Sequence, residues 1–143
     1  ASPLKVVEGA EGMRPENGVM YIAPGGRHMV LSRGADGRPC LRLTDAAPVN
    51  SCRPSVDVLF RSVADAAGGD VVTLVLTGMG ADGADGATTL RAKGAWSIVQ
   101  DEASSVVWGM PGAVVQAGQA DEILPLERIA ERVAEIARRG RAR

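Results

Sequence analysis

The chain has 143 residues, enough for one domain around a single core and too few for two domains with separate cores. Its 16 Lys and Arg residues nearly balance its 17 Asp and Glu residues, so the net charge of -1 excludes a global electrostatic attraction to nucleic acid or acidic membranes. No apolar run approaches the length of a membrane span. We therefore expect no nucleic-acid partner, no membrane insertion and a cytoplasmic location.

Cysteine and histidine are too scarce to build a zinc site. Cys40 and Cys52 match no C-x-x-C pattern and are predicted to be reduced thiols, and His28 is the single histidine of the chain. We therefore expect neither a bound metal nor a cofactor.

Residues 1–54 are predicted to form short strands, because four extended-looking segments alternate there with turn-forming residues. Between the last two segments lies Gly34-Ala35-Asp36-Gly37. Glycine tolerates positive φ and aspartate can bond its own turn backbone, so these two segments are predicted to pair as an antiparallel β-hairpin. The four segments are residues 4–7, 19–23, 29–32 and 41–43.

From Ser55 onward, helices and strands alternate. Ser55 follows Pro54 and can cap a helix over residues 56–67 that the pair Gly68-Gly69 ends. The apolar run 71–76 is rich in β-branched residues and is predicted to be a strand covered on both faces of a parallel sheet. The elements predicted after it are a helix over 84–93, a strand over 95–100, a short helix over 111–116, a strand over 122–124 and a helix over 126–139.

This succession predicts an α/β fold, with a mostly parallel sheet between flanking helices in a doubly wound, Rossmann-like three-layer arrangement, plus the antiparallel hairpin. Residues 1–54 supply the strands and hairpin, and residues 55–139 supply the α/β units. Residues 140–143 form a basic tail that, together with Arg138 and Arg139, is typical of a solvated helix end.

The loop Gly78-Met79-Gly80-Ala81-Asp82-Gly83 follows the strand 71–76 and precedes a helix. It satisfies G-x-G-x-x-G, and Asp101 lies near the end of the next strand, so a dinucleotide-binding module through this loop is one interpretation. Three observations weigh against it. Asp82 would compete with a pyrophosphate for the helix N-terminal N–H groups, and the motif begins only after 77 residues, with 60 remaining.

Asp82 has two further interpretations. As the N-cap of the following helix, with Asp85 adding favourable charge in the first turn, it needs no special chemistry. As a carboxylate at the carboxyl end of a parallel strand, where α/β folds collect catalytic groups, it can hold the Nδ1–H of a histidine. It then stabilises the imidazolium that forms when this histidine takes a proton from serine. The spacing alone leaves both interpretations open.

Five segments carry a family resemblance. They are residues 21–28 (YIAPGGRH), 49–60 (VNSCRPSVDVLF), 75–83 (VLTGMGADG), 100–111 (QDEASSVVWGMP) and 121–126 (DEILPL). In this order, and over almost the whole chain, they resemble the catalytic domain of the chemotaxis protein-glutamate methylesterases, the CheB family. Such coverage is far more specific than any single motif.

The resemblance implies hydrolysis of methyl-glutamyl esters on the cytoplasmic helices of methylated chemoreceptors, with some members also deamidating receptor glutamines, in bacterial chemotaxis adaptation. It implies a serine esterase with a Ser-His-Asp triad whose acid is matched by Asp82. It also implies an oxyanion hole to which the backbone N–H of Met79 contributes. Family members usually carry a phosphorylatable receiver domain at the N-terminus, so an upstream receiver domain is a second implied partner.

Two triad members are missing from the pattern. In the family the serine lies in a glycine-rich turn after the first strand and the histidine in a Gln-His-Met-Pro-like segment, and neither occurs here. His28 matches a different family segment and is interpreted as a loop histidine that hydrogen-bonds locally or lines the cleft, and not as the general base. Ser104 and Ser105 are interpreted as turn residues, because neither lies in a G-x-S-x-G elbow. We therefore expect nucleophile and base to lie upstream of Ala1.

Residues 1–143 are accordingly predicted to be the C-terminal part of one methylesterase catalytic domain, inactive alone. Without the family's first strands, the sheet is expected to leave an edge and an apolar face uncovered unless another chain covers them. The alternatives to the enzyme are a non-catalytic relative that keeps the receptor-binding surface, and the dinucleotide-binding module.

Overall fold

Seven strands and four helices make up the computed structural model, which describes residues 3–139; the predicted basic tail over 140–143 lies outside the described residues. The strands are β1 (Lys5–Glu8), β2 (Val19–Ile22), β3 (His28–Arg33), β4 (Pro39–Thr44), β5 (Val72–Val75), β6 (Trp96–Gln100) and β7 (Glu122–Leu124). The helices are α1 (Val56–Ala67), α2 (Ala84–Ala92), α3 (Met110–Gln116) and α4 (Leu126–Arg139). None of these four helices combines the length and the apolar character that crossing a bilayer requires.

The strands form three separate sheets. β1 and β2 pair in parallel, β3 and β4 pair antiparallel with His28 opposite Thr44, and β5, β6 and β7 form a parallel sheet in that order. Helix α2 connects β5 to β6, and α3 connects β6 to β7. The predicted α/β fold, with mostly parallel strands, flanking helices and an antiparallel hairpin, is confirmed.

Local sequence explains where the elements begin and end. Ser55 has extended φ and ψ of -110° and 137°, and its Oγ accepts a hydrogen bond from Val58 N–H at 3.4 Å, so it caps α1 as predicted. The helix ends at Gly68, whose φ of 67° suits a residue without Cβ. In the turn between β3 and β4, Asp36 Oδ1 accepts from Arg38 N–H at 3.1 Å.

Helix α1 packs against α2 and against β3, and α2 also packs against β6. Gly86 permits the close approach of the two helices, because a Cβ at this position would lie 2.6 Å from Phe60 Cβ. Two buried apolar clusters lie where these elements meet, and Phe60 of α1 packs against both of them. The clusters therefore hold α1 beside α2. The clusters consist of Val75, Ala87, Val99 and Val114, and of Ala64, Leu90 and Ala95.

Strand β5 differs from the prediction of a strand covered on both faces. Thr73 and Val75 are buried, but Val72 and Leu74 are each 36% exposed. Leu74 points into an open groove, so one face of the strand has no close-packed partner among residues 3–139. The prediction that both faces of this strand are covered is therefore wrong. The separate expectation that the sheet leaves an apolar face uncovered agrees with the structure.

Candidate functional site

The loop over residues 76–83 connects β5 to α2 at the carboxyl edge of the β5–β6–β7 sheet. Two hydrogen bonds fix its start: Thr77 N–H donates to Gln100 Oε1 at 2.8 Å, and Gly78 N–H donates to Val107 O at 3.0 Å. Gly109 lies against the loop, where a Cβ would come within 2.7 Å of Gly78 O. The chain segment that follows β6 therefore holds the loop in place.

Asp82 turns its carboxylate toward the start of α1. Its Oδ2 accepts a hydrogen bond from Val56 N–H at 2.7 Å. Its Oδ1 accepts three, from Ser55 Oγ at 2.8 Å, Asp57 N–H at 3.1 Å and Asn50 Nδ2 at 3.1 Å. The interpretation of Asp82 as the N-cap of the following helix is wrong, because its side chain caps α1 instead of α2.

Burial and hydrogen bonding act on the pKa of Asp82 in opposite directions. The residue is 4% exposed, and burial raises the pKa because it penalises the charged form. The hydrogen bonds from Val56, Ser55, Asp57 and Asn50 outweigh burial and lower the pKa below its ordinary value of 3.8. Asp82 is therefore anionic at neutral pH. Its Oδ2, with one donor, retains acceptor capacity for a further N–H.

Asp57 is a second buried carboxylate, 1% exposed, in the first turn of α1. Its Oδ1 accepts from Gly83 N–H at 3.0 Å and Gly86 N–H at 2.6 Å, and its Oδ2 accepts from Asn50 Nδ2 at 2.7 Å. The start of α2 is where a dinucleotide would place its pyrophosphate. An internal carboxylate already occupies two donors there, which argues against the dinucleotide interpretation.

Met79 lies in the same loop and is 85% exposed. Within residues 3–139, no hydrogen-bond acceptor meets its backbone N–H. The next residue, Gly80, has a φ of 93°, a conformation that glycine adopts without strain. The amide of Met79 is thus an unused donor on the loop that carries Asp82.

Ser104 and Ser105 are turn residues, as predicted. Ser104 Oγ donates to Asp101 Oδ1 at 2.5 Å and accepts from Leu126 N–H at 3.0 Å. Ser105 Oγ donates to Asp101 O at 2.6 Å. Both hydroxyls are engaged within the turn, so neither offers the free hydroxyl that a nucleophile needs. Asp101 Oδ1 is engaged in the same turn, where it accepts from the N–H and the hydroxyl of Ser104.

His28 is fully buried at the start of β3. Its Nδ1 lies 3.1 Å from Ser55 N, and its Nε2 lies 2.9 Å from Ala47 O. Because a backbone N–H can only donate, Nδ1 is the acceptor and Nε2 carries the proton that bonds Ala47 O. Both ring nitrogens are occupied, in agreement with the predicted hydrogen-bonding role. The prediction of a loop position is wrong, because His28 begins β3, and a fully buried side chain does not line a cleft. The imidazole supports the Ser55 cap.

Asn50 belongs to the site although no sequence pattern singled it out. Its Nδ2 donates to Asp57 Oδ2 and to Asp82 Oδ1, from a turn in which Asn50 and Ser51 have φ of 51° and 61°. The available signal was an asparagine, which tolerates left-handed φ better than most residues, shortly before a capped helix. That signal does not say which side chains the amide meets.

An apolar groove of about 560 Å³ lies beside β5, close to the loop. Leu74 and Leu76 form one wall, and Val133 and Ala137 of α4 form the other. The free edge of β5 pairs with no strand in the described part of the chain. The uncovered edge and the uncovered apolar face expected from the sequence are therefore both present. The other lining residues are Pro3, Leu4, Met20, Leu126, Ile129, Ala130 and Ala134.

Known proteins share this fold closely. The CheB methylesterase catalytic domain of Thermotoga maritima matches the structure with a TM-score of 0.89 at 34% sequence identity. The match covers 93% of this chain and 70% of that domain. A family model described as CheB methylesterase matches residues 1–133.

Curated relatives match over nearly the whole chain. The protein-glutamate methylesterase/protein-glutamine glutaminase 1 of Hahella chejuensis is 52% identical over 131 residues, which are 92% of this chain and 36% of that protein. The protein of the same name from Xanthomonas campestris pv. campestris is 48% identical over 140 residues, which are 98% of this chain and 39% of that protein. The chain thus spans well under half the length of these relatives. By its sequence and by its fold, it belongs to the CheB methylesterase family.

Proposed function

We propose that this chain supplies the acid of a Ser-His-Asp triad in a protein-glutamate methylesterase that hydrolyses glutamate methyl esters on chemoreceptors. The observation that carries the proposal is the carboxylate of Asp82. Four donors hold it at the carboxyl edge of the sheet, it is charged at neutral pH, and its Oδ2 has capacity for one more N–H. A triad acid needs this combination of fixed orientation, permanent charge and free acceptor.

The proposed reaction uses that geometry. Oδ2 accepts the Nδ1–H of a histidine from outside residues 1–143, which leaves Nε2 free to take the proton of a serine hydroxyl. The serine oxygen bonds the γ-carbonyl carbon of the methyl ester, the bond to the methoxy oxygen breaks, and methanol leaves with the proton from the imidazolium. Water then hydrolyses the acyl-enzyme and returns the proton to serine. Asp82 stays ionised throughout and stabilises the imidazolium.

The backbone N–H of Met79 is assigned as a donor of the oxyanion hole. It lies on the same loop as Asp82, and within residues 3–139 it has no competing acceptor. One such donor contributes on the order of 10² to 10³ in turnover, because it stabilises charge that develops on the carbonyl oxygen only during the reaction. The exposed thioether of Met79 has no part in this role.

The remaining part of the catalytic domain is proposed to fill the groove beside β5 and to carry the serine and the histidine. The Thermotoga domain extends beyond the 70% that this chain covers, so the fold has further elements to place. The groove is lined by apolar side chains, and it borders a strand edge without a partner in the described residues. A parallel strand added to that edge ends next to the loop that carries Asp82.

Substrate and partners follow from the same proposal. The methylated substrate is a glutamyl side chain on a cytoplasmic receptor helix, which places the enzyme in the cytoplasm. Receptor glutamines are deamidated by the same acyl-enzyme steps with ammonia as the leaving group. A receiver domain upstream of the catalytic domain restrains it until the receiver is phosphorylated.

Methanol release from methylated receptor helices tests the proposal. The 143-residue chain alone is compared with a complete catalytic domain that contains it. We expect turnover from the complete domain and none from the chain alone, since nucleophile and base are absent from residues 1–143. A complete domain that binds receptor helices but releases no methanol would show a receptor-binding relative without catalysis, and the proposal would be wrong.

A further inference from the structure

The turn over residues 49–52 carries a side chain that contacts both buried carboxylates. Among residues 3–139, Asn50 alone donates to both, with Nδ2 at 2.7 Å from Asp57 Oδ2 and 3.1 Å from Asp82 Oδ1. An amide nitrogen carries two protons and no charge, so one proton can point to each carboxylate. A serine or threonine hydroxyl has a single proton and could not make both contacts.

The backbone of this turn is strained in order to present the amide. Asn50 and Ser51 both lie in the left-handed region, with φ of 51° and 61°. Hydrogen bonds between Val49 and Cys52 close the turn in both directions, at 3.0 and 2.8 Å. Turns with two successive positive φ values favour glycine at the second position, where this chain has Ser51. A strained conformation retained beside a candidate catalytic group is a reason to look for a role in its mechanism.

The two carboxylates that Asn50 joins repel each other. Asp57 and Asp82 are 1% and 4% exposed, so little solvent screens the repulsion between these two carboxylates, which the same amide contacts. The hydrogen bond from the Asn50 amide is one of those that lower the pKa of Asp82. Two other titratable side chains are close to this turn, and neither hydrogen-bonds a carboxylate: His28 accepts from Ser55 N–H, and Cys52 Sγ lies 3.4 Å from Asn50 O.

We propose that Asn50 is the positioning residue of this site. Its amide holds Oδ1 of Asp82 against the start of α1, which leaves Oδ2 directed to the incoming imidazole. Asn50 touches neither substrate nor reacting atoms and acts through Asp82. The effect of Asn50 on catalysis rests on the proposed function. Its effect on the orientation and charge of Asp82 does not.

Three variants separate positioning from a purely structural role in the turn. Asn50→Gly removes the amide, and glycine adopts a φ of 51° without strain. If Asn50 only shapes the turn, this variant should be as stable as the wild type or more stable. Asn50→Asp keeps the shape but replaces the donor with a third carboxylate. Ser51→Gly is the matched control, because it relieves the same kind of strain at the neighbouring residue and leaves the amide in place.

The first measurement is the ¹³C NMR titration of the Asp82 carboxyl carbon in a complete catalytic domain. We expect its midpoint to rise in Asn50→Gly, to rise further in Asn50→Asp, and to stay at the wild-type value in Ser51→Gly. A midpoint that does not move in either Asn50 variant overturns the proposal. This readout needs no esterase activity.

The second measurement is steady-state kinetics of the same variants on methylated receptor helices. Loss of one hydrogen bond to the catalytic carboxylate lowers kcat about tenfold in Asn50→Gly, with KM within about twofold of wild type. A shifted titration with an unchanged kcat overturns the positioning role. If the wild-type domain itself hydrolyses no ester, the proposed function fails, and the titration alone decides whether Asn50 controls the carboxylate.

Discussion

Asp57 and Asp82 cap each other's helices. Asp57, in the first turn of α1, accepts the N–H groups of Gly83 and Gly86 at the start of α2. Asp82, just before α2, accepts the N–H groups of Val56 and Asp57 at the start of α1. Each anion thus lies at the positive end of the other residue's helix. The exchange locks the two helix starts together and fixes the loop that carries Asp82.

We predict that Asp57→Ala destabilises the domain by about 2 to 4 kcal/mol, because two backbone N–H groups at the start of α2 lose a buried charged acceptor. Urea unfolding measures this change as a lower midpoint. Asp85→Ala is the control, since Asp85 has a 77% exposed side chain in a surface pair with Arg61 and should change the midpoint little. Equal midpoints for the two variants would contradict the reciprocal capping.

Stability is predicted to fall as the pH drops through the acid range. The pKa of Asp82 is lower in the folded chain than its ordinary value of 3.8, so folding favours the ionised form. Its contribution is complete above that ordinary value and is lost as the pH falls through the folded value. Asp82→Asn should therefore flatten the plot of unfolding free energy against pH in this range, as urea titrations at several pH values would show.

Asp36 provides a control for that measurement. Hydrogen bonds from the side chain of Arg14 and from Arg38 lower the pKa of Asp36 to about 2, so its contribution is lost over the same acid range. Its ion pairs are exposed, however, and about 0.5 M salt should screen them. The contribution of Asp82 should persist at that salt concentration, because its donors are uncharged and it is buried. A pH dependence that salt abolishes entirely would contradict this assignment.

We predict that the isolated 143-residue chain self-associates through the uncovered groove beside β5, and that Leu74→Lys reduces this association because it places a charge there. In a complete catalytic domain, in which we propose that further elements fill the groove, the same substitution should be destabilising. Sedimentation velocity measures the first effect and urea unfolding the second. Val106→Lys is the control, since Val106 is 92% exposed and lies outside the groove. A complete domain that tolerates both substitutions equally well would show that nothing packs in the groove.

The oxyanion role of Met79 is predicted to depend on its backbone and not on its side chain. Met79→Ala keeps the N–H and should leave kcat within a few-fold of wild type. Met79→Pro removes the N–H and should lower kcat on the order of 10² to 10³. Equal losses in the two variants, at equal urea midpoints, would indicate that the side chain matters and that the amide does not.

Features encoded by neighbouring residues were predictable from the sequence. Three such features occur where predicted, and each depends on residues a few positions apart. They are the cap at Ser55, the turn at Gly34–Gly37 and the helix with Pro111 in its first turn. The partner of Asp82 was not predictable in this way. Its carboxylate could cap the helix that follows it or one elsewhere, and the contact with Val56 joins residues 26 positions apart.

The local sequence pattern likewise could not predict which faces of β5 are covered. An apolar run has the same hydropathy whether both faces are packed or one face borders a groove, so Leu74 looks like a core residue in the sequence. Asn50 went unrecognised for a related reason. An asparagine in a turn is common, and only the packing of α1 against α2 brings the two carboxylates to its amide.

The central claim, that Asp82 is the acid of the triad, is tested most directly by Asp82→Asn in a complete catalytic domain. The amide keeps the shape of the side chain but gives up the charge that stabilises the imidazolium, so we predict a loss in kcat on the order of 10⁴. Asp85→Asn, which changes a neighbouring exposed carboxylate, should be close to wild type. If methanol release by Asp82→Asn stays within a few-fold of wild type while the domain remains folded, Asp82 is a helix cap and no more.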